Sequence, residues 1–186
     1  MKVYFMRHGQ TSYNVKNLIN GDVKKRIGIT KLGRQQTLEA TRKLKNVKFD
    51  VIFISEFWRT KQTAEIINKY YGLPFIIDYR INEINMGFEG KDIEEYRAIK
   101  NVSKVSKFRF KINGRESFSD LKIRVGKFLN DLKKENYENV LVITHESVVQ
   151  MVFSILNGLS GEEAMGINIG NCEILKFEIY RYRELE

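Results

Sequence analysis

Short, continuously apolar runs alternate along the chain with stretches whose apolar positions recur every three or four residues. Val3 to Met6, Asp50 to Ile54, Phe75 to Ile77 and Val140 to Thr144 are rich in β-branched residues and do not alternate with polar ones. Such runs predict strands covered on both faces, as in a parallel sheet. Cys172 to Tyr180 differs: Ile174, Lys176, Glu178 and Tyr180 alternate with Leu175, Phe177 and Ile179, which predicts an edge strand. Thr30 is placed to cap a helix reaching about Lys45, with Leu32, Gln36, Leu38 and Leu44 as its apolar stripe. Ser55 is placed to cap another from about Phe57 to Tyr71, with Thr60, Ala64, Ile67 and Tyr71 on one face and Gly72 ending it. Ser117 to Lys134 carries Phe118, Leu121, Val125, Phe128, Leu129 and Leu132 on one side, and Glu146 to Leu156 is apolar nearly all round. This order predicts a three-layer α/β/α sandwich with a mostly parallel central sheet, a single domain over residues 1–186. The least regular stretch, 85–115, is a candidate lid or substrate-side insertion.

Composition narrows the picture. A 42% hydrophobic share over 186 residues excludes a disordered chain, because it supplies enough apolar surface to offset chain entropy. Cys172 is the only cysteine, so no intramolecular disulfide forms, which fits a reducing compartment. With two histidines and one cysteine, a closed structural zinc site is disfavoured. No apolar run approaches the roughly 20 residues that span a bilayer, and the N-terminus turns charged before a signal sequence develops. The expectation is a cytoplasmic protein with no membrane partner. The net charge of +9 points to an anionic partner. Arg97, Lys100, Lys104, Lys107, Arg109, Lys111 and Arg115 follow one another without an acid, and Lys16, Lys24, Lys25, Arg26, Lys31 and Arg34 are opposed only by Asp22. Phe108 and Phe110 interleave with the first cluster, as in a groove for single-stranded nucleic acid, but a solvated basic face is the plainer reading.

Candidate chemistry gathers at predicted strand ends. His8 follows the first strand and His145 the fourth, and in open parallel sheets such ends line the ligand crevice. The strand ending at Ile54 leads through Ser55 to Arg59 in the first turn of a helix, where unpaired N–H groups and the helix dipole favour an anion. Arg7 stands beside His8. Two arginines, two histidines and a helix N-terminus converging on one crevice describe a phosphate pocket, since guanidinium forks match phosphate oxygens.

These residues resemble the histidine phosphatase superfamily, which includes cofactor-dependent phosphoglycerate mutases. Arg7-His8-Gly9-Gln10-Thr11 with Asn14 is similar to its nucleophile motif, and Ser55 to Ala64 to its second-arginine segment. Arg80-Ile81-Asn82-Glu83 followed by Gly87-Phe88-Glu89-Gly90 resembles the segment holding its acid, and Thr144-His145 its second-histidine motif. Gly114-Arg115-Glu116-Ser117 resembles the start of a later helix, and Asn171-Cys172 the start of the closing strand. The likeness spans residues 3 to about 180 and implies a phosphoglycerate mutase-like fold.

The resemblance also implies a mechanism: His8 attacks phosphorus, Arg7, Arg59 and His145 hold the equatorial oxygens, and Glu83 protonates the leaving oxygen. Asn14, Thr11, Gln10 and Gly21 are the implied substrate-binding residues. No metal and no cofactor is required, because the arginines carry the charge. Three departures stand out. Glu146-Ser147 replace the Gly-Gly that usually follows the second histidine, explained most simply by a helix-capping carboxylate, with pairing to a nearby cation as the alternative. Glu56 replaces a proline, which affects the turn. The stretch from Gly87 to Gly90 is one residue short, with Phe88 for the frequent Trp, leaving Glu89 as a reserve acid.

At 186 residues the chain resembles the shorter phosphatase branch, similar to α-ribazole phosphatase-type enzymes, more than the mutases. The implied partner is a small phosphorylated metabolite. The basic 85–115 stretch suits a second anionic group on it, and Phe88, Phe108 and Phe110 a base, ring or acyl part. Mutase-type phosphoryl transfer is the alternative. A non-catalytic phosphate- or nucleic-acid-binding module is disfavoured by the presence of Arg7, His8, Arg59, Glu83 and His145 together. A further rival has His8 and His145 acting as an acid–base pair on a phosphodiester, with no phosphoenzyme. Monomer and homodimer both remain open.

Overall fold

A computed structural model describes residues 1–112 and 114–181. Five strands, β1 (Lys2–Arg7), β2 (Val51–Ile54), β3 (Phe75–Ile77), β4 (Asn139–Thr144) and β5 (Ile174–Glu178), form one sheet in the order β3-β2-β4-β1-β5. β1, β2, β3 and β4 are parallel, and β5 runs antiparallel to β1 on the edge. Around it lie α1 (Ser12–Val15), α2 (Lys31–Leu44), α3 (Trp58–Tyr71), α4 (Ile93–Val102), α5 (Phe118–Leu132), α6 (Glu146–Leu156) and α7 (Gly161–Met165). This is the expected three-layer sandwich.

The continuous apolar strands supply both faces at once. Val3, Phe5, Val51, Phe53, Val140 and Val142 point into a core shared with α5 and α6. Their neighbours Met6, Ile52, Ile54, Leu141 and Ile143 point the opposite way, to Ala40 and Leu44 of α2 and Ala64 and Ile67 of α3. The period-two alternation of side chains is therefore intact, with apolar residues on both faces. The six residues forecast for α5 are the six it buries, and Ser117 caps it in a reciprocal box with Asp120. Among the described residues no helix is long and apolar enough to cross a membrane.

Four expectations need correction. The buried face of α2 is Gly33, Thr37, Ala40 and Leu44, while Leu32 and Leu38 are 48% and 51% exposed. Small residues face inward because α2 lies against the loop after β1: a Cβ on Gly9 would stand 2.6 Å from the Gly33 carbonyl oxygen, and one on Gly33 would strike the Gln10 backbone. β3 is an edge strand with Ile76 and Ile77 exposed, not a buried one. Ser55 does not cap α3, whose N-cap is Phe57 without a side-chain bond. Finally, 85–115 contains α4, capped by Asp92. That segment has its own small core, in which Ile19, Tyr96 and Phe110 meet Met86, Phe88 and Ile93. The chain also pairs Leu18 with Asp92 in an isolated bridge, fastening α4 to the turn after α1.

Candidate active site

The C-terminal ends of β1 and β4 lie side by side, and the His8 amide donates to the Thr144 carbonyl at 3.0 Å. The two imidazoles, remote in sequence, come to rest with ring centroids 5.3 Å apart. Both rings are buried. Nδ1 of His8 donates to its neighbour's carbonyl, Gly9 O, at 2.8 Å, and Nε2 accepts from Arg59 Nε at 2.9 Å. Since guanidinium only donates, the lone pair belongs to Nε2 and the ring proton to Nδ1. Burial, and then the charges of Arg59 and Arg7, hold the His8 pKa well below the usual imidazole value, so the ring is neutral at pH 7.

His145 is fixed by the same logic. Arg59 Nη2 donates to Nδ1 at 3.0 Å, so Nε2 carries the proton and gives it to Ser55 Oγ at 2.8 Å. Ser55 Oγ meets Thr60 Oγ1 at 2.8 Å, and Thr60 donates to Phe57 O at 2.7 Å. Ser55 thus orients His145 in place of capping a helix. Burial is again the largest influence, ahead of Arg59 and His8, lowering the His145 pKa well below its usual value.

Arg59 sits between the two rings, with its guanidinium 4.2 Å from the Phe57 ring centroid and Nη2 also donating to Asn20 O at 3.0 Å. Burial brings its pKa down to about 10, partly offset by Glu83 and Glu89. Arg7 donates from Nη1 to Ile169 O at 2.5 Å and pairs with Glu146 at 3.1 Å, while its buried Nε has no partner among the described residues. Glu146 also accepts from the Ile169 amide at 3.2 Å. It therefore pairs with a cation and does not cap α6, whose N-cap is His145.

Glu83 approaches from the turn after the 3-10 helix Tyr79–Ile81. Its Oε2 lies 4.0 Å from His145 Nδ1 and its side chain is 16% exposed. Burial raises its pKa, opposed by Arg59, by the Ile84 amide at 2.9 Å and by hydrogen bonding from Ser147. The turn is held by Arg124, a residue the sequence reading passed over. Arg124 of α5 is clamped by Glu116 at 2.6 Å and donates to Arg80 O at 2.7 Å and Glu83 O at 3.3 Å. The available signal was the position of Arg124, three residues after Leu121 and four before Phe128, at the spacing of the buried stripe of α5. Glu56, in place of a proline, exchanges hydrogen bonds with Asn82 at the base of the same turn.

Arg7, His8, Thr11, Asn14, Arg59 and Glu83 line one cleft of about 590 Å³. His145 is wholly buried behind the wall and meets the site through Arg59. Asn14 and Thr11 bond each other in a capping box, and Asn171 donates to His8 O at 3.0 Å. Gln10 and Gly21 are not on the cleft wall. Gln10 binds Gln36 and Thr30, and the Gly21 amide donates to Glu89 Oε2 at 2.8 Å. Glu89 also accepts from the Asp22 amide at 2.9 Å, so it braces the 20–22 loop and does not face the cleft. Phe88, Phe108 and Phe110 are likewise off the wall, and Tyr13, Tyr96 and Phe118 supply its aromatic rings. Among the described residues no three His, Cys, Asp or Glu gather as a metal-ligand set.

Neutral imidazole, two arginines and a buried carboxyl around one cleft, at the strand ends of a parallel sheet, are the equipment of phosphoryl transfer through a side chain. A family model described as the histidine phosphatase superfamily, branch 1, matches residues 3–185, and the chain belongs to that superfamily. A Hydrogenobacter thermophilus protein provisionally named phosphoserine phosphatase 2 is 26% identical over 96% of this chain and 89% of its own length. A Shigella boydii protein provisionally named phosphoglycerate mutase GpmB is 27% identical over 96% of this chain and 85% of its own. Among solved structures, a phosphoserine phosphatase from Entamoeba histolytica in complex with 3-phosphoglyceric acid superposes with a TM-score of 0.81 at 25% identity, covering 95% of this chain and 90% of that one.

Proposed function

We propose that the protein hydrolyses a small phosphorylated metabolite through a phosphohistidine on His8. The observation that carries this reading is the paired hydrogen bonding of one ring: Nδ1 gives its proton to Gly9 O, which leaves the lone pair on Nε2, where Arg59 Nε donates to it until phosphorus takes its place. In the first step Nε2 bonds to phosphorus while the ester P–O bond breaks, and Glu83 gives its proton to the leaving oxygen. In the second, water attacks the phosphohistidine, the P–N bond breaks, Glu83 takes the water's proton, and inorganic phosphate leaves. A carboxyl whose pKa is raised by burial suits both halves.

Arg7, Arg59 and His145 hold the equatorial oxygens, with Asn14 and Thr11 beside them. Arg7 lines the cleft, where its guanidinium meets a phosphoryl oxygen. Arrival of a dianion favours the protonated form of His145, turning its Nδ1 from acceptor to donor. The partner favoured is a small metabolite and not nucleic acid, since the basic side chains nearest His8 face a cleft. The test is phosphate release from p-nitrophenyl phosphate in EDTA, with an alkaline denaturing quench of the wild type to trap an acid-labile, alkali-stable phosphoenzyme. Turnover and phosphoenzyme both lost in His8→Ala support the route. Turnover that persists in His8→Ala, or wild-type turnover without a phosphoenzyme, overturns it.

A further inference from the structure

Glu89 stands away from the cleft, yet its carboxylate reaches Arg59 through a single peptide group. Its Oε2 accepts from the Gly21 amide at 2.8 Å and from the Asp22 amide at 2.9 Å. The carbonyl of the same Asn20–Gly21 peptide accepts from Arg59 Nη2 at 3.0 Å. The N–H and C=O of one planar peptide polarise together, so an anion at the N–H strengthens the C=O as an acceptor. That peptide has little room to turn away. A Cβ on Gly21 would stand 2.5 Å from the Ile84 carbonyl oxygen, next to Glu83 in the chain. On the other flank, the Gly90 amide donates to Ile19 O at 2.9 Å and the Ile19 amide to Lys91 O at 2.9 Å, which lays segment 89–91 along the start of the loop.

The guanidinium is held at three points. Nη2 gives one proton to Asn20 O and the other to His145 Nδ1, both at 3.0 Å, while Nε donates to His8 Nε2 at 2.9 Å. The Asn20 carbonyl therefore stops the group from rolling about its Cδ–Nε bond, and Nη1, which binds none of the described residues, is left for a phosphoryl oxygen. The second oxygen of Glu89, Oε1, is buried and has no hydrogen-bond partner among the described residues. Two amides need only a neutral acceptor, and a buried carboxylate with an idle oxygen is costly unless a cation feels its charge. Arg59 is such a cation: Glu83 first and Glu89 second favour its charged form against burial. We infer that Glu89 is a positioning residue for phosphoryl transfer, holding the Arg59 guanidinium between His8 and His145 through the Asn20–Gly21 peptide. The inference rests on the phosphoryl site proposed above, and it adds a carboxylate that never meets the substrate.

The test is a double-mutant cycle on the binding of inorganic phosphate, read by calorimetry in wild type, Glu89→Gln, Arg59→Lys and the double variant. Glu89→Gln keeps an acceptor for the two amides and removes the charge. It should weaken phosphate binding about tenfold in the wild-type background and by less than about twofold in the Arg59→Lys background. A residue that braces only the fold costs the same in both. The chain has two histidines, so nitrogen spectra report each ring separately. The resonances of His8 Nε2 and His145 Nδ1, both acceptors from Arg59, should move in Glu89→Gln. Equal costs in the two backgrounds, or unmoved ring resonances, overturn the inference. Should Glu89→Gln not fold, Arg59→Lys reads the link from its other end. Loss of the donor at the Asn20 carbonyl should shift the Gly21 amide nitrogen upfield, and an unmoved Gly21 resonance overturns the inference. Turnover of p-nitrophenyl phosphate separates the two readings. Coupling in phosphate binding without His8-dependent turnover overturns the phosphatase route and supports the positioning role. His8-dependent turnover without coupling overturns the positioning role alone, and folded wild type that neither turns over nor binds phosphate overturns both.

Discussion

Replacing Glu146 with Gln removes a negative charge from the edge of the phosphoryl site while keeping an acceptor for the Ile169 amide. The carboxylate lies 3.1 Å from Arg7 Nη1, and a phosphoryl oxygen across that guanidinium in the cleft would stand about 6 Å away. At an effective dielectric near 20, that separation costs about 3 kcal/mol per unit charge. Glu146 is 28% exposed, so solvent screening reduces this to about half, or roughly a tenfold change in affinity. Inorganic phosphate should therefore inhibit Glu146→Gln about tenfold more tightly than wild type, and the gain should shrink as salt is added. The assay is competitive inhibition of p-nitrophenyl phosphate hydrolysis at two ionic strengths, with thermal midpoints to compare folding. Unchanged or weaker inhibition at an unchanged midpoint would refute the reasoning and make the carboxylate a brace for Arg7.

Glu83→Gln should lower kcat by about 10²–10⁴-fold and remove the alkaline fall in kcat/KM that deprotonation of the raised-pKa carboxyl produces, checked by pH–rate profiles. Arg124→Ala should cost about 2 kcal/mol in urea unfolding and reduce kcat more than KM, because it frees the Glu83 turn and strands Glu116. Gly33→Ala should destabilise by about 1–3 kcal/mol, since its Cβ enters the Gln10 backbone. Stability should fall on acidification below about pH 6.5, because unfolding lets the buried neutral His8 and His145 bind protons. Each histidine contributes a slope of about 1.4 kcal/mol per pH unit down to its depressed folded pKa. Glu83, whose folded pKa is raised, has the opposite sign above about pH 4.5 and offsets part of that slope. Urea titrations across pH 4.5–8, repeated on Glu83→Gln, check both signs.

The sheet was legible because its strands are apolar on both faces, and no other local structure uses a four-residue β-branched run between polar turns. α5 was legible for the same reason, since six apolar side chains at helical spacing leave one solution. α2 was misread because its buried face is made of Gly33, Thr37 and Ala40. Close backbone approach selects small residues there, and a search for large apolar ones lands on exposed Leu32 and Leu38. β3 was placed correctly but given the wrong surroundings, since three residues cannot say which strands flank them. At the site, His8, His145, Arg7 and Arg59 follow strands and so announce themselves. Gly21 and Gln10 do not reach the cleft because their polar groups are taken by Glu89, Gln36 and Thr30. Pairings of that kind join residues far apart in sequence and leave no local periodicity. The same holds for Ser55, whose helix-start position suggested a cap although His145 claims its hydroxyl.

The interior position of β1, between β4 and β5, has a consequence for synthesis. Its two neighbours in the sheet are β4, Asn139–Thr144, and β5, Ile174–Glu178. The strand that carries Arg7 and His8 is thus made before both of its neighbours and must wait for β4 and then β5 before both its edges are paired. Until then Val-Tyr-Phe-Met presents unpaired backbone and apolar side chains, the kind of segment that chaperones bind and that aggregates when release is slow. A chain stalled before β5 carries the nucleophile but leaves one flank of β1 bare, so the site is completed only once β5 has been made.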